Sequence, residues 1–405
     1  MNPYRKDFPF FDQEKPDIYL DNAATTQKLR TVLDAMCNFY AYQNAPVHRG
    51  IYAAAEQATA QYENIRQQVA HSMNARSSSE IVFTKGTTES INMVAASYAM
   101  HHVGAGDTIV VTELEHHSNI LPWQYVAQTK GAQVRYIPMM SDITLDITKI
   151  DSIITERTKL VALSLHSNIV GPIDYAAIKI IIDRAYAVGA KVLLDAAQAA
   201  AHIRIDVQAL DCDFLAFSGH KVFGPTGIGV LYIRQSLHEL LVPYQLGGGM
   251  AHDVMLQHAT WRPMPQMLEA GTPPIAQVIG LGVALQYMKE LDFAQVMQQQ
   301  AQLTARLLDG LHRCNGIVIL GNEELLRNSG HMVTFYTHDI HAHDIAAYAA
   351  THHMSVRAGN HCCQPLHKKL GITNSVRASL ALYTTVDEID AFVQCIDAIT
   401  RSAIF

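Results

Sequence analysis

Short runs of β-branched and aliphatic residues alternate along much of this chain with longer stretches whose apolar residues recur every three or four positions. The runs that read as strands are Ile81 to Thr84, Thr108 to Thr112, Gln133 to Ile137, Leu160 to Leu165, Lys191 to Leu194, Phe214 to Phe217 and Ile228 to Ile233. Most give way to polar or glycine residues and then to a helical pattern, the signature of βαβ units and a mostly parallel sheet. Several are apolar at every position, as strands covered by helices on both faces must be. From about residue 275 the pattern changes: a Gln- and Ala-rich helical stretch runs to Arg313, and a shorter α+β pattern with many histidines follows. The expected fold class is α/β, a large domain with a helix-covered, mostly parallel sheet and a smaller C-terminal α+β domain.

Composition narrows the function classes. Of the 405 residues, 49% are hydrophobic and 17% charged, which supports a large core and excludes a disordered chain. A formal charge of -7 offers no basic footprint for nucleic acid or anionic lipid, and neither partner is expected. No apolar run approaches the roughly 18 residues of a membrane span. Met1 to Phe11 carries charges and prolines where a signal peptide has an apolar stretch, so the expected address is cytoplasmic. The six cysteines are sparse and irregularly spaced, which predicts free thiols in a reducing compartment. There is no internal repeat, and Gly247 to Gly249 mark a flexible loop.

In open α/β sheets, ligands gather beyond the carboxyl ends of the strands. Ser218-Gly219-His220-Lys221 stands directly after one apolar run, with the glycine-rich Phe223 to Gly227 behind it. A lysine there is either a surface residue in a turn or, desolvated, an amine poised for a Schiff base to an aldehyde such as pyridoxal phosphate (PLP). Asp195, closing Val192-Leu193-Leu194, is either a helix N-cap or the acid that keeps a pyridinium nitrogen protonated. Gly86-Thr87-Thr88-Glu89 fits a capping box and equally a phosphate site at a helix N-terminus, with the helix expected to begin near Ser90. One of His116 and His117 suits ring stacking or proton transfer, leaving the other inert. Seven histidines crowd the stretch from His338 to His367, yet no zinc-ligand spacing takes in the cysteine pair, and no metal is expected. In Arg357-Ala358-Gly359-Asn360-His361-Cys362-Cys363, cationic neighbours favour a thiolate, whereas Cys212 and Cys395 read as inert core residues. Arg377 follows, a guanidinium suited to a bidentate grip on a carboxylate.

Together these clusters, with Tyr19-Leu20-Asp21-Asn22-Ala23-Ala24, Val47-His48-Arg49-Gly50, Glu115-His116-His117, Ser167-Asn168, Asp195-Ala196-Ala197-Gln198 and Glu269-Ala270-Gly271-Thr272, resemble fold-type I PLP enzymes of the class V aminotransferase family. The resemblance is nearest to group II cysteine desulfurases and spans almost the whole chain. It implies that Lys221 binds the cofactor covalently, Asp195 holds the pyridinium nitrogen, Gln198 contacts the ring oxygen and His116 stacks on the ring. It implies that Thr87, Thr88, Ser218 and His220 hold the phosphate, and that Thr272 reaches the other subunit's cofactor in a homodimer. Arg377, Asn168, Arg357 and His48 would bind L-cysteine, and Cys362 would take its sulfur as a persulfide for a small acceptor protein serving iron-sulfur cluster assembly. The implied parts are an N-terminal segment, 1–30, packing with the small domain; a PLP-binding domain, 31–275; and a connecting helix with the cysteine-bearing small domain, 276–405.

Two positions depart from the resemblance: Cys363 stands where alanine is common, and Asn360 where a second histidine is common. Cys363 is expected to be a passive small residue. Selenocysteine lyase, with L-selenocysteine as substrate, is the alternative activity. A kynureninase-like enzyme and a non-catalytic metal or sulfur carrier are more distant ones.

Overall fold

The computed structural model describes residues 2–402. Seven strands form the central sheet in the spatial order 81–84, 229–233, 214–218, 191–195, 158–164, 108–112, 133–137. All run the same way except Gly229–Ile233, which is antiparallel to both of its neighbours. The continuous apolar runs are explained by the pleat. In Lys191–Asp195, Val192 and Leu194 enter the core on one face while Leu193 enters the core on the other.

The helical stretch expected from 275 to 313 is in fact two helices, Ile275–Glu290 and Phe293–Leu311. Leu291 is extended, and the Asp292 carboxylate accepts the Gln295 N–H at 3.1 Å, so a side-chain cap starts the second helix where periodicity alone showed no break. Beyond them lies an antiparallel sheet in the order 318–320, 332–336, 375–379, 357–359. The N-terminal segment is tied to this region: Ile18–Tyr19 pairs in parallel with Met354–Ser355, and Asn22 Nδ2 donates to Ser379 O at 2.7 Å. No helix among the described residues is long and apolar enough to cross a membrane.

A buried ionic network fastens the segment that carries Thr272 to the edge of the central sheet. Arg66, 1% exposed, donates to both Glu269 carboxylate oxygens, at 2.6 and 2.8 Å, and to Ile81 O at 2.9 Å. Glu269 also accepts the Phe83 N–H at 2.7 Å, and Glu63 links Arg66 to His48. Removing one partner of such a pair strands a buried charge. Glu269→Ala is therefore expected to lower unfolding free energy by about 3–5 kcal/mol in denaturant titration, and a loss under about 1 kcal/mol would contradict that role for the pair.

Candidate active site

The carboxyl ends of six strands open on one edge of the central sheet, and the polar residues following them converge there. After Ile81–Thr84, Gly86 (φ +155°) lets the chain pass close to the neighbouring strand: a Cβ built on Gly229 would lie 2.5 Å from Gly86 Cα. The next helix, Thr87–Val94, starts three residues before the expected Ser90 because the Ser218 hydroxyl takes the Thr87 N–H at 2.8 Å, which caps it from a distant strand. A cavity of about 230 Å³ at this edge is lined by Thr87, Thr88, His116, Asn168, Asp195, Gln198, Ser218, His220, Lys221, Arg357, Cys362 and Arg377. A larger, mostly apolar cavity of about 380 Å³, between Met73, Ile205, Phe217 and Phe293, contains none of these residues.

The charges in the site are set by burial. Lys221 Nζ has no hydrogen-bond partner among the described residues, and burial lowers its amine to about 8, opposed by the Asp195 carboxylate. Burial raises Asp195 above the usual carboxylate range, against the Ala197 N–H it accepts at 2.8 Å. Burial, helped by Lys221, holds His116 down at about 4, so its ring is neutral, and Nδ1 accepts the Ser118 N–H at 3.1 Å. Arg377, 2% exposed, donates to Asn168 O at 2.8 Å and to Asp21 Oδ1 at 3.2 Å, while its Nε and the Asn168 Oδ1 are buried without partners. Buried orphans of this kind point to a missing polar ligand.

The two adjacent cysteines differ sharply, though both are free thiols. Cys362 is exposed; Cys363 is fully buried, donates its S–H to Glu115 O at 3.1 Å, and has its thiol pushed up by burial. Cys362 also lines a second, outer cavity of about 540 Å³ with His117, Leu121, Tyr125 and Tyr244. Cys212 and Cys395 are buried, and burial raises both thiols.

Two residues predicted for the site lie apart from it within this chain. His48 and Thr272 line a separate cavity of about 180 Å³ with Arg49 and Arg262.

A profile of the family described as "Aminotransferase class-V" matches residues 18–392. The chain belongs to that family. A protein of Halalkalibacterium halodurans described as "Probable cysteine desulfurase" is 43% identical over 96% of this chain and 95% of its own. The Escherichia coli cysteine desulfurase CsdA, crystallised with an S-sulfonic acid, superposes with a TM-score of 0.91 at 38% identity, covering 98% of each chain. The apo cysteine desulfurase of Thermococcus onnurineus gives 0.92 at 37%, covering 99% of each. The fold is accordingly that of fold-type I PLP enzymes, and the cofactor is PLP. The donor set fits it: an unpartnered lysine amine, a buried carboxylate with a single hydrogen bond, and hydroxyls at a helix N-terminus. Among the described residues, no group of three or more His, Cys, Asp or Glu is placed to hold a metal ion.

Residues that sequence reasoning missed support the lining of this cavity. Lys28, lowered to about 8 by burial, donates to His220 O at 3.0 Å and braces the turn before Lys221. Behind the cavity, which His166 lines, three imidazoles stack: His202 on His331 with ring centroids 3.7 Å apart, and His331 on His166 at 5.2 Å. Their positions, 166, 202 and 331, lie too far apart in sequence for any local pattern to join them. Burial lowers His166 to about 3, His202 to about 4 and His331 well below its usual range. Unfolded imidazoles titrate near about 6.5, so below that pH the unfolded chain binds more protons than the folded one. The stack's contribution is complete above about 6.5 and is lost progressively as pH falls toward about 4. The melting temperature should fall between about pH 7 and about pH 5, and less steeply in His331→Leu; equal slopes would contradict this.

Proposed function

We propose that this chain is a PLP-dependent cysteine desulfurase that converts L-cysteine to L-alanine and carries the released sulfur as a persulfide on Cys362. The observation that carries this reading is the place of Cys362, which lines both the inner cavity with Lys221 and Asp195 and the outer cavity beside Tyr125. A thiol at that junction can take sulfur from a substrate within and present it to an acceptor outside.

Lys221 would hold the cofactor's aldehyde, Asp195 its ring nitrogen, Gln198 its ring oxygen, and His116 its ring face. Thr87, Thr88, Ser218 and His220 would hold its phosphate. Bound PLP supplies an electron sink that makes the substrate's Cα proton acidic. Arg377, with Asn168 and Arg357 beside it, binds and orients the substrate carboxylate, for which the unpartnered Arg377 Nε is available. Lys221, lowered to about 8, can release and retake a proton at Nζ near neutral pH. Cys362 Sγ bonds to the substrate sulfur as the Cβ–S bond breaks. The electron pair of that bond stays with the alanyl fragment, which takes up protons and leaves as alanine.

Thr272 and His48 complete the site of a second copy in a homodimer. The exposed Tyr42, Ile51, Leu246 and Leu256, on segments flanking their cavity, supply apolar surface for that contact. A small acceptor protein takes the sulfur at the outer cavity for iron-sulfur cluster assembly. Residues 31–275 act as the cofactor domain, 276–405 as the connecting helix and small domain with the Cys362 loop, and 1–30 as its packing segment.

The purified, PLP-loaded protein should release alanine and sulfide from L-cysteine in the presence of a thiol reductant. A loaded protein that yields no alanine would overturn the reading.

A further inference from the structure

The loop that presents Cys362 adopts a backbone that L-residues avoid. His361 and Cys362 are both left-handed, with φ +50° and +57°, and Gly359, one residue before Asn360, is at +129°. Two consecutive non-glycine residues in that region persist only where surrounding contacts impose the conformation. His117 contacts this loop at two points. Its N–H donates to Cys362 O at 2.8 Å, and its ring Nε2 accepts the Gln364 N–H at 3.1 Å, which places the ring proton on Nδ1. Asn360, inside the loop, accepts the Cys362 N–H through Oδ1 at 3.2 Å and the Cys363 N–H through its carbonyl at 2.8 Å, whereas His117 bonds to Cys362 and Gln364 from a separate segment of the chain. Asn168 grips only the preceding carbonyl, His361 O, at 2.6 Å, and Glu115 O holds the buried thiol of Cys363. His117 was the histidine expected to be inert.

We infer that His117 is a positioning residue for the reaction: it clamps Cys362 in the left-handed geometry that aims the thiol into the inner cavity. The inference rests on the reading of Cys362 as the sulfur-accepting thiol. His117 touches the loop and not the carboxylate-binding Arg377, so its loss should slow sulfur transfer and leave cysteine binding intact. The chemistry of its ring contact also defines a substitute, because a glutamine amide oxygen can accept the Gln364 N–H where alanine cannot.

The test compares PLP-loaded wild type, His117→Ala and His117→Gln in first-turnover alanine formation from L-cysteine, in KM, and in deuterium exchange of the 359–364 peptide. In His117→Ala the first turnover should slow roughly 10- to 100-fold with KM changed less than about twofold, as expected for a misplaced reacting group. Exchange of 359–364 should rise while that of 214–221 stays as in wild type, and His117→Gln should recover most of both losses. A first turnover in His117→Ala within about twofold of wild type would overturn the inference, as would a glutamine variant as slow as alanine. If wild type itself forms no alanine, the desulfurase reading fails separately. Exchange then decides the clamp alone: a rise in His117→Ala supports it and unchanged exchange overturns it.

Discussion

Replacing Lys221 with alanine should abolish the visible absorption of bound cofactor and cut alanine formation from L-cysteine by at least about 10³-fold. The amine has no hydrogen-bond partner among the described residues and lines the same cavity as Asp195, its basicity reduced by burial to about 8. At neutral pH a fraction of it is a free nucleophile, which an ordinary surface lysine is not. Lys221→Arg separates charge from nucleophilicity. Its guanidinium keeps the attraction to Asp195 but cannot form a covalent link, so it should be as inactive as alanine. Retention of more than about a tenth of wild-type activity in either variant would remove Lys221 from the reaction.

The second large effect belongs to the cysteine pair. Cys362→Ser should reduce alanine and sulfide formation by more than about 10²-fold while leaving the absorption of bound cofactor in place, because the loss is of a nucleophile and not of the cofactor's anchor. Cys363→Ala should keep most of the activity. Its thiol is buried, donates to Glu115 O and is pushed far up, so its removal should cost on the order of 1 kcal/mol of stability and little rate. The reverse pattern, with Cys363→Ala inactive and Cys362→Ser active, would move the sulfur to the inner thiol.

Much of the site was legible because its parts sit at the ends of apolar runs. Asp195, Ser218 and Lys221 each follow a strand whose apolar pattern marks it as covered on both faces, and in an α/β sheet such ends meet at one edge. The break at Leu291 was not legible from periodicity, since the pattern continues through it; Asp292, a side chain able to cap the next helix, was the available signal. The start at Thr87 depends on a hydroxyl 131 residues away, which no local pattern contains. His117 could not be told from His116 because adjacent histidines look interchangeable in sequence. Only the fold shows one lining the cofactor cavity and the other bonded to the cysteine loop. The His166, His202 and His331 stack and the separate cavity holding His48 and Thr272 likewise arise from tertiary contacts.

Sulfur from L-cysteine should come to rest on Cys362. The most direct measurement is peptide mass spectrometry of the PLP-loaded protein after brief exposure to L-cysteine without reductant or acceptor, with free thiols and persulfides trapped by an alkylating agent. A mass gain of one sulfur atom is expected on Cys362, absent when L-alanine replaces L-cysteine and absent in Lys221→Ala. An unmodified Cys362 in protein that has released alanine, or the extra sulfur found on Cys363, would contradict it.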